Sequence, residues 1–465
     1  MSLIPNSSRA PQAGDGRTRL AILGLALIAA SLFGWLAFLG DLTRRTGALL
    51  LVHALLVVVM VAAWWVLRGS GATPLRIALG AALTFRIVMA LGPPALSDDV
   101  YRYVWDGRVQ LHGIHPYRYS PDDPALAQLR DEVWERINHR ELETIYPPLS
   151  QVWFLALAGV GAGVRGFKLA AGLLDFGAVL ALSFLLRRLA LPQDRLVLYA
   201  WNPLAVIETA GSGHHEPLGT ALAILAAAWM IAGRASASAL ALAGAVHVKL
   251  LPAVLVPGYA RRFSLTAIAA FTGVVVLVAL PYALTGPALG AGVWHYAGRW
   301  ERNGFLFAGI LGACEWLDPT PWLKDGIDAL KQWGPAALPW DWLYRHVWPP
   351  HLARATAAAL ALAWIAAVSL RKTIDPARET LLVLGGVLLL APTLHPWYVL
   401  WVLPFAAALL SRGWLLLAAL VPLAYLGGEG DVPWWVRCVE FAPALCLMVW
   451  DGTRSWVEHR GSIGR

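Results

Sequence analysis

Charge is scarce in this sequence: Asp, Glu, Lys and Arg make up 14% of its 465 residues, while 58% are hydrophobic and the mean hydropathy is +0.58. A soluble protein of this size could not hide that much apolar surface, so the composition excludes the water-soluble classes and implies a polytopic, all-α membrane protein. Cysteine is scarcer still. Cys314, Cys438 and Cys446 offer neither a disulfide framework nor metal-ligand spacing. Cys438 and Cys446 would lie about two helical turns apart, too far to bridge. The phosphate-cradling patterns G-x-G-x-x-G and G-x-x-x-x-G-K-[ST] are absent, so no nucleotide site is expected. No basic run with interleaved aromatics exists either, which removes nucleic acid as a partner despite a net charge of +8.

What is abundant is tryptophan, 24 residues gathered near the ends of apolar segments, as in Trp64-Trp65, Trp397, Trp401 and Trp434-Trp435. Amphipathic rings of this kind favour the membrane–water interface. The excess positive charge lies in short loops and orients the chain. Arg9, Arg17 and Arg19 keep the N-terminus in the cytoplasm ahead of a retained anchor at 20–40. Spans near 48–67 and 75–92 flank an inside loop marked by Arg68 and Arg76, which puts residue 97 outside. The external region 97–147 includes short amphipathic helices over 121–142 that would lie on the membrane surface. Residues 148–163 are short for a crossing and read as re-entrant or a tilted half-span. Spans follow at 168–186, 196–211 and 217–232. The stretch 235–260, broken by Lys249, Pro252, Pro257 and Gly258, reads as two half-helices. A span at 264–284 leads to a second external region, 285–350. Final spans fall near 351–370, 379–394, 396–411, 413–427 and 434–450. About a dozen crossings in one integral domain, 1–465, with both termini cytoplasmic, are expected. No internal repeat is visible.

The densest polar feature is S-D-D-V-Y-R-Y-V-W-D-G-R at 97–108, where Asp98, Asp99, Arg102, Asp106 and Arg108 crowd together just after a bilayer segment. Such a cluster is costly near hydrocarbon. Other polar groups fall at the same depth: Tyr146-Pro147-Pro148, His214-His215-Glu216, Arg299 to Asn303 with Glu301, and His395-Pro396-Trp397-Tyr398. Polar groups drawn from five places to one membrane face point to a cavity there. Lys249 reads as a snorkelling lysine on a half-helix, and Asp175, taken as the one carboxylate inside a span, should pair with a neighbouring helix.

The acidic pair in the first large external loop, G-I-H-P-Y (113–117), Y-P-P-L (146–149), G-H-H-E (213–216) and H-P-W-Y (395–398) together resemble the GT-C glycosyltransferases. More closely they resemble the bacterial polyprenol-phosphate-mannose-dependent mannosyltransferases, among them the alpha-1,6-mannopyranosyltransferase and glycosyltransferase 87 groups. S-D-D-V-Y-R-Y is similar to that group's S-R-D-V-Y-S-Y type of stretch, with Asp98 standing where the group has a basic residue. The resemblance implies a GT-C-like fold. It also implies transfer of a hexose, by the group mannose, from a polyprenyl-phosphate sugar to a glycan or glycolipid hydroxyl. The reaction would run on the outer face of the cytoplasmic membrane, with no cofactor indicated and a divalent metal left open.

That chemistry needs a carboxylate to take the hydroxyl proton and cations on the departing phosphate. Asp98 and Asp99 are the candidate bases, one acting and the other orienting Arg102 or capping the helix; the competing reading makes both capping acids. Arg102 and Asp106 are candidate ligands, with an intrahelical ion pair to Asp98 or Asp99 as the alternative for Arg102. His214, His215 and Glu216 read as phosphate or sugar contacts or as an exposed turn, with no third ligand near for zinc. His395 would favour an anion at a helix start, or act as a cap. Tyr146, Tyr398, Arg299, Glu301 and Asn303 could shape the acceptor groove. A transporter or flippase would share the half-helices but keep its charges at mid-membrane, and a scaffold would need no polar clusters at all.

Overall fold

The structure, a computed structural model, describes residues 15–286, 300–335, 338–371, 373–428 and 430–463. Among them there is no strand, only isolated bridges of Arg302 and Asn303 to Thr393, so the all-α expectation holds. The chain packs as two compact units, one of residues 1–142 and 150–225, the other of 143–149 and 226–465.

The first unit contains α1 Asp15–Leu39, α2 Thr46–Leu67, α3 Ala72–Leu91, α4 Asp99–Leu111, α5 Pro148–Gly159 and α6 Val164–Arg188. Helices α1, α2, α3 and α6 are long and apolar enough to cross a bilayer. Phe33 of α1 packs on Phe85 of α3 and Phe85 on Trp201, each with ring centroids 5.1 Å apart. Beside this aromatic core, Arg86 donates from Nε and Nη2 to Asp175 Oδ2 at 2.9 and 2.6 Å, and Tyr199 donates to Asp175 Oδ1 at 2.5 Å. The expected partner of Asp175 is therefore Arg86, on α3.

The expected span at 196–211 is not a continuous helix. It is broken into Val197–Ala200, Pro203–Val206 and a π-helical turn, Ile207–Gly211. Asn202 caps the second piece by accepting from Leu204 N, and Pro203 lacks the N–H that would continue the first.

Helix α4 crosses α5 at very close range. A Cβ on Gly107 would lie 2.4 Å from Phe154 O and 2.9 Å from Ala158 Cβ, which only glycine avoids. Gly107→Ala is expected to cost about 1–3 kcal/mol by overpacking. Thermal unfolding of the purified variant checks this, and an unchanged Tm would mean that the two helices are not in contact.

Helix α7, Glu216–Ile231, carries the chain into the second unit. That unit holds α8 Ala235–Val248, α9 Leu265–Thr285, α10 Phe305–Leu317, α11 Thr320–Lys331, α12 Trp340–Arg345, α13 Pro349–Ser369, α14 Pro376–Leu390, α15 Arg412–Leu420 and α16 Trp434–Ile463. Only α9 and α13 join the four long apolar helices, giving six among the described residues. Helices α5, α7, α8, α10 and α14 have 12 to 16 residues. At about 1.5 Å per residue they fall short of a roughly 30 Å hydrocarbon core.

Short pieces are found where they were expected, at 148–163 and 235–260. Residues 396–411 are again no continuous helix: a 3₁₀ turn at Pro396–Trp401 precedes Leu403–Leu409, which Leu410 ends in a left-handed conformation. The region 285–350 includes an apolar helix, α10, whose Phe307 packs with Ala353 and Ala357 of α13.

Candidate active site

In the first unit, one buried lysine organises the approach to α4. Lys168 of α6 donates to the carbonyls of Met89, Gly92 and Pro93 at 3.2, 2.5 and 2.7 Å, neutralising the C-terminal end of α3. The chain then binds the π-helical segment through Ala95 N to Gly211 O at 3.1 Å. Gly213 lies at φ +90°, and a Cβ there would meet Val100 at 2.9 Å and the Lys168 stem at 3.2 Å. Lys168 thus bonds the backbone before Asp98 and packs close to the backbone before His214. π-Helical turns are frequent at functional sites.

The acidic pair splits. Asp98 precedes α4 with no capping hydrogen bond from its side chain, and it is exposed. Its charge helps to hold the Arg136 pKa above the ordinary value, after the larger effect of the hydrogen bond between Arg136 and Tyr101. Asp99 opens α4, accepts from Asn138 Nδ2 at 3.3 Å and places Oδ2 3.9 Å from His214 Nδ1. The fully buried His214 also lies 4.0 Å from Glu216 and 3.5 Å from Glu208. Three carboxylates thus surround one imidazole. Only Asp99 among them reaches solvent, its side chain 24% exposed against 1% for Glu208 and Glu216.

His215 turns elsewhere: it shares a 2.9 Å hydrogen bond with Ser150 Oγ and packs edge-on against Tyr103 and Phe154. The histidine turn is therefore buried, not exposed. Arg102 makes its ion pair with Asp106, at 2.8 Å, and not with Asp98 or Asp99; it also donates to Leu142 O. Gln151 donates to the other Asp106 oxygen at 3.0 Å and accepts from Gln110 at 2.9 Å. This buried network fastens α4 to α5 and to the end of the external loop.

The second unit contains a cavity of about 210 Å³. Its walls are apolar, among them Ile145, Leu251, Val387 and Leu388, with Tyr146, Tyr398 and Trp401 as aromatic lining. Its cation is Lys249, which sits at an extended break after α8 and not on a half-helix; its Nζ lies 4.5 Å from the centre of the Tyr398 ring. His395 stacks on Trp397 at 4.3 Å and makes no side-chain cap.

Asn303, buried at φ +56°, donates to Glu440 Oε2 at 2.8 Å, and Glu301 pairs with Arg354 at 2.7 Å. Thr393 of the cavity wall donates to Trp300 O at 2.9 Å, so segment 300–304 is laced to 392–394. Arg299 lies outside the described residues.

The sequence reading passed over Lys168, Glu208, Ser150 and Gln151. Two of them had a signal, since a lysine and a glutamate within apolar stretches are costly unless they serve something. Asp175 is not the one buried carboxylate in such stretches: Glu208, Glu379 and Glu440 are buried too. Among the described residues, no group of three or more His, Cys, Asp or Glu is arranged to hold a metal ion.

Nothing among curated proteins or solved structures matches the chain. Two family models do, and they bear out the resemblance drawn from the motifs. Residues 351–427 match the MptB C-terminal domain. Residues 21–264, more than half of the chain, match the N-terminal domain of alpha-(1->6)-mannopyranosyltransferase. The transporter and scaffold readings give way to an enzyme that uses a sugar donor and a glycan acceptor. The chain belongs to the alpha-(1->6)-mannopyranosyltransferase family, a family of membrane glycosyltransferases.

Proposed function

We propose that this protein transfers mannose from a polyprenyl-phosphate donor to a glycan hydroxyl on the outer face of the cytoplasmic membrane, with inversion and with Asp99 as general base. The observation that carries the reading is the environment of Asp99: a carboxylate open to solvent and backed by a buried histidine. The Asp99 carboxylate takes the acceptor proton as the acceptor oxygen bonds to the anomeric carbon. The bond from that carbon to the phosphate oxygen breaks, and its electron pair leaves on the polyprenyl phosphate. A single displacement of this kind inverts the anomeric centre and needs no covalent sugar–enzyme intermediate.

Within the second unit, the apolar cavity suits a prenyl chain, and Lys249 in its wall suits an anion. Arg102, whose guanidinium is engaged by Asp106 and Leu142, serves in this reading as a positioning residue.

The test is transfer from a defined polyprenyl-phosphate mannose by purified protein. Lys249→Met is expected to raise the donor KM ~10–100-fold, the worth of about 1.5–3 kcal/mol for a hydrogen bond to a charged group. Nuclear magnetic resonance of the product should show inverted configuration. An unchanged donor KM would remove the cavity from the donor site, and retention would remove the single-displacement mechanism.

A further inference from the structure

Helix α11 carries its apolar stripe on the wrong side for a water-facing helix. At about 100° per residue, Trp322, Gly326, Ala329 and Leu330, and Trp333 just beyond the helix end, fall within about 100° of arc. Trp322 is 68% exposed, Leu330 63% and Trp333 89%. On the opposite side the protein touches only part of the helix, and Asp328 and Lys331 stay exposed. There Thr320 is buried and donates to Val347 O at 3.2 Å, while Lys324 places Nζ 4.8 and 4.2 Å from the Tyr344 and Trp348 rings. A surface helix in water shows the reverse arrangement, with its apolar stripe against the core.

The position of α11 in the chain says what covers the stripe. Two residues, Asp318 and Pro319, separate it from α10, which packs along α13. After α12, three residues lead into α13, one of the six helices able to cross a bilayer. Both ends of the α11–α12 segment are thus tied to bilayer elements. Trp342 and Trp348 are exposed as well, as are Leu360 and Leu362 of α13. Surface of this composition, held at the edge of a spanning helix, matches the membrane interface.

We infer that α11 and α12 form an interfacial ledge, with the Trp322–Leu330–Trp333 stripe sunk to headgroup depth in the lipid surface. Its charges cancel, Lys324 and Lys331 against Asp325 and Asp328. The attachment therefore needs no anionic lipid and resists salt.

The test uses the full chain, with Cys314, Cys438 and Cys446 changed to Ala, in phosphatidylcholine nanodiscs. Leu330→Cys and Asp328→Cys variants each carry an environment-sensitive fluorophore. At position 330 a headgroup spin label is expected to quench emission several-fold more than aqueous iodide does, with the reverse at 328. The contrast should persist with added phosphatidylglycerol and at high salt. Trp333→Cys replaces Leu330→Cys if the latter does not fold. Equal iodide quenching at both positions would overturn the inference. So would protection of position 330 from both quenchers, which would assign the stripe to a protein partner or a second copy.

Discussion

Asp99→Asn is expected to lower the transfer rate by about 10²–10⁴, the usual cost of a lost general base, while Asp98→Asn stays near the wild-type rate. The two side chains are adjacent in sequence but differ in every physical respect that matters here. Asp98 is exposed and makes no capping bond. Asp99 is partly shielded, faces His214 and opens a helix whose next eight residues are buried. The amide keeps the shape and the hydrogen bond from Asn138 but cannot accept a proton at neutral pH. The measurement is single-turnover transfer by purified variants whose Tm matches wild type. A wild-type rate for both variants would make the pair structural and place the base elsewhere. A loss confined to Asp98→Asn would reverse their roles.

The second large effect is on stability. Arg86→Met leaves the Asp175 carboxylate buried with Tyr199 but without its cation, and is expected to destabilise the protein by about 3–5 kcal/mol. The guanidinium also donates to Ala200 O, so its loss loosens the start of the broken segment that leads to Glu208 and His214. Removing both charges, in Arg86→Met with Asp175→Leu, should recover much of the loss, because a packed apolar pair needs no compensation for a buried charge. Thermal unfolding in detergent decides the matter. A single variant as stable as wild type would mean that water reaches Asp175.

Much of this protein was legible before any coordinates. Composition alone gave the all-α membrane class, because 58% apolar residues with 14% charge admit no other packing. The long spans at α1, α2, α3, α6, α9 and α13 followed from uninterrupted apolar runs, and the family from short motifs whose residues bear chemistry. Local chemistry also betrayed the break at Lys249, since two prolines and a glycine follow it within ten residues.

Hydropathy could not show where an apolar segment buried in protein would break. Residues 196–211 are buried almost throughout, yet Asn202-Pro203 and the π-helical turn divide them into pieces too short to span. The same holds for 396–411, where a 3₁₀ turn follows His395 and carries Trp397 and Tyr398 in place of a continuous helix.

The sequence by itself determined the membrane class, the long helices, the family and the acidic pair, since each depends on residue type and short-range spacing. Tertiary structure decided which acid faces His214, and that Arg102 closes on Asp106 four residues along its own helix. It also brought Lys168 to the end of α3, and Glu208 to His214 through a π-helical turn. Most of these outcomes depend on groups brought together from distant parts of the chain or on turns whose geometry only the packed neighbours select, and the local Arg102–Asp106 pair is buried and held by Gln151 from another helix. A linear pattern carries no record of which side chains will share one buried space.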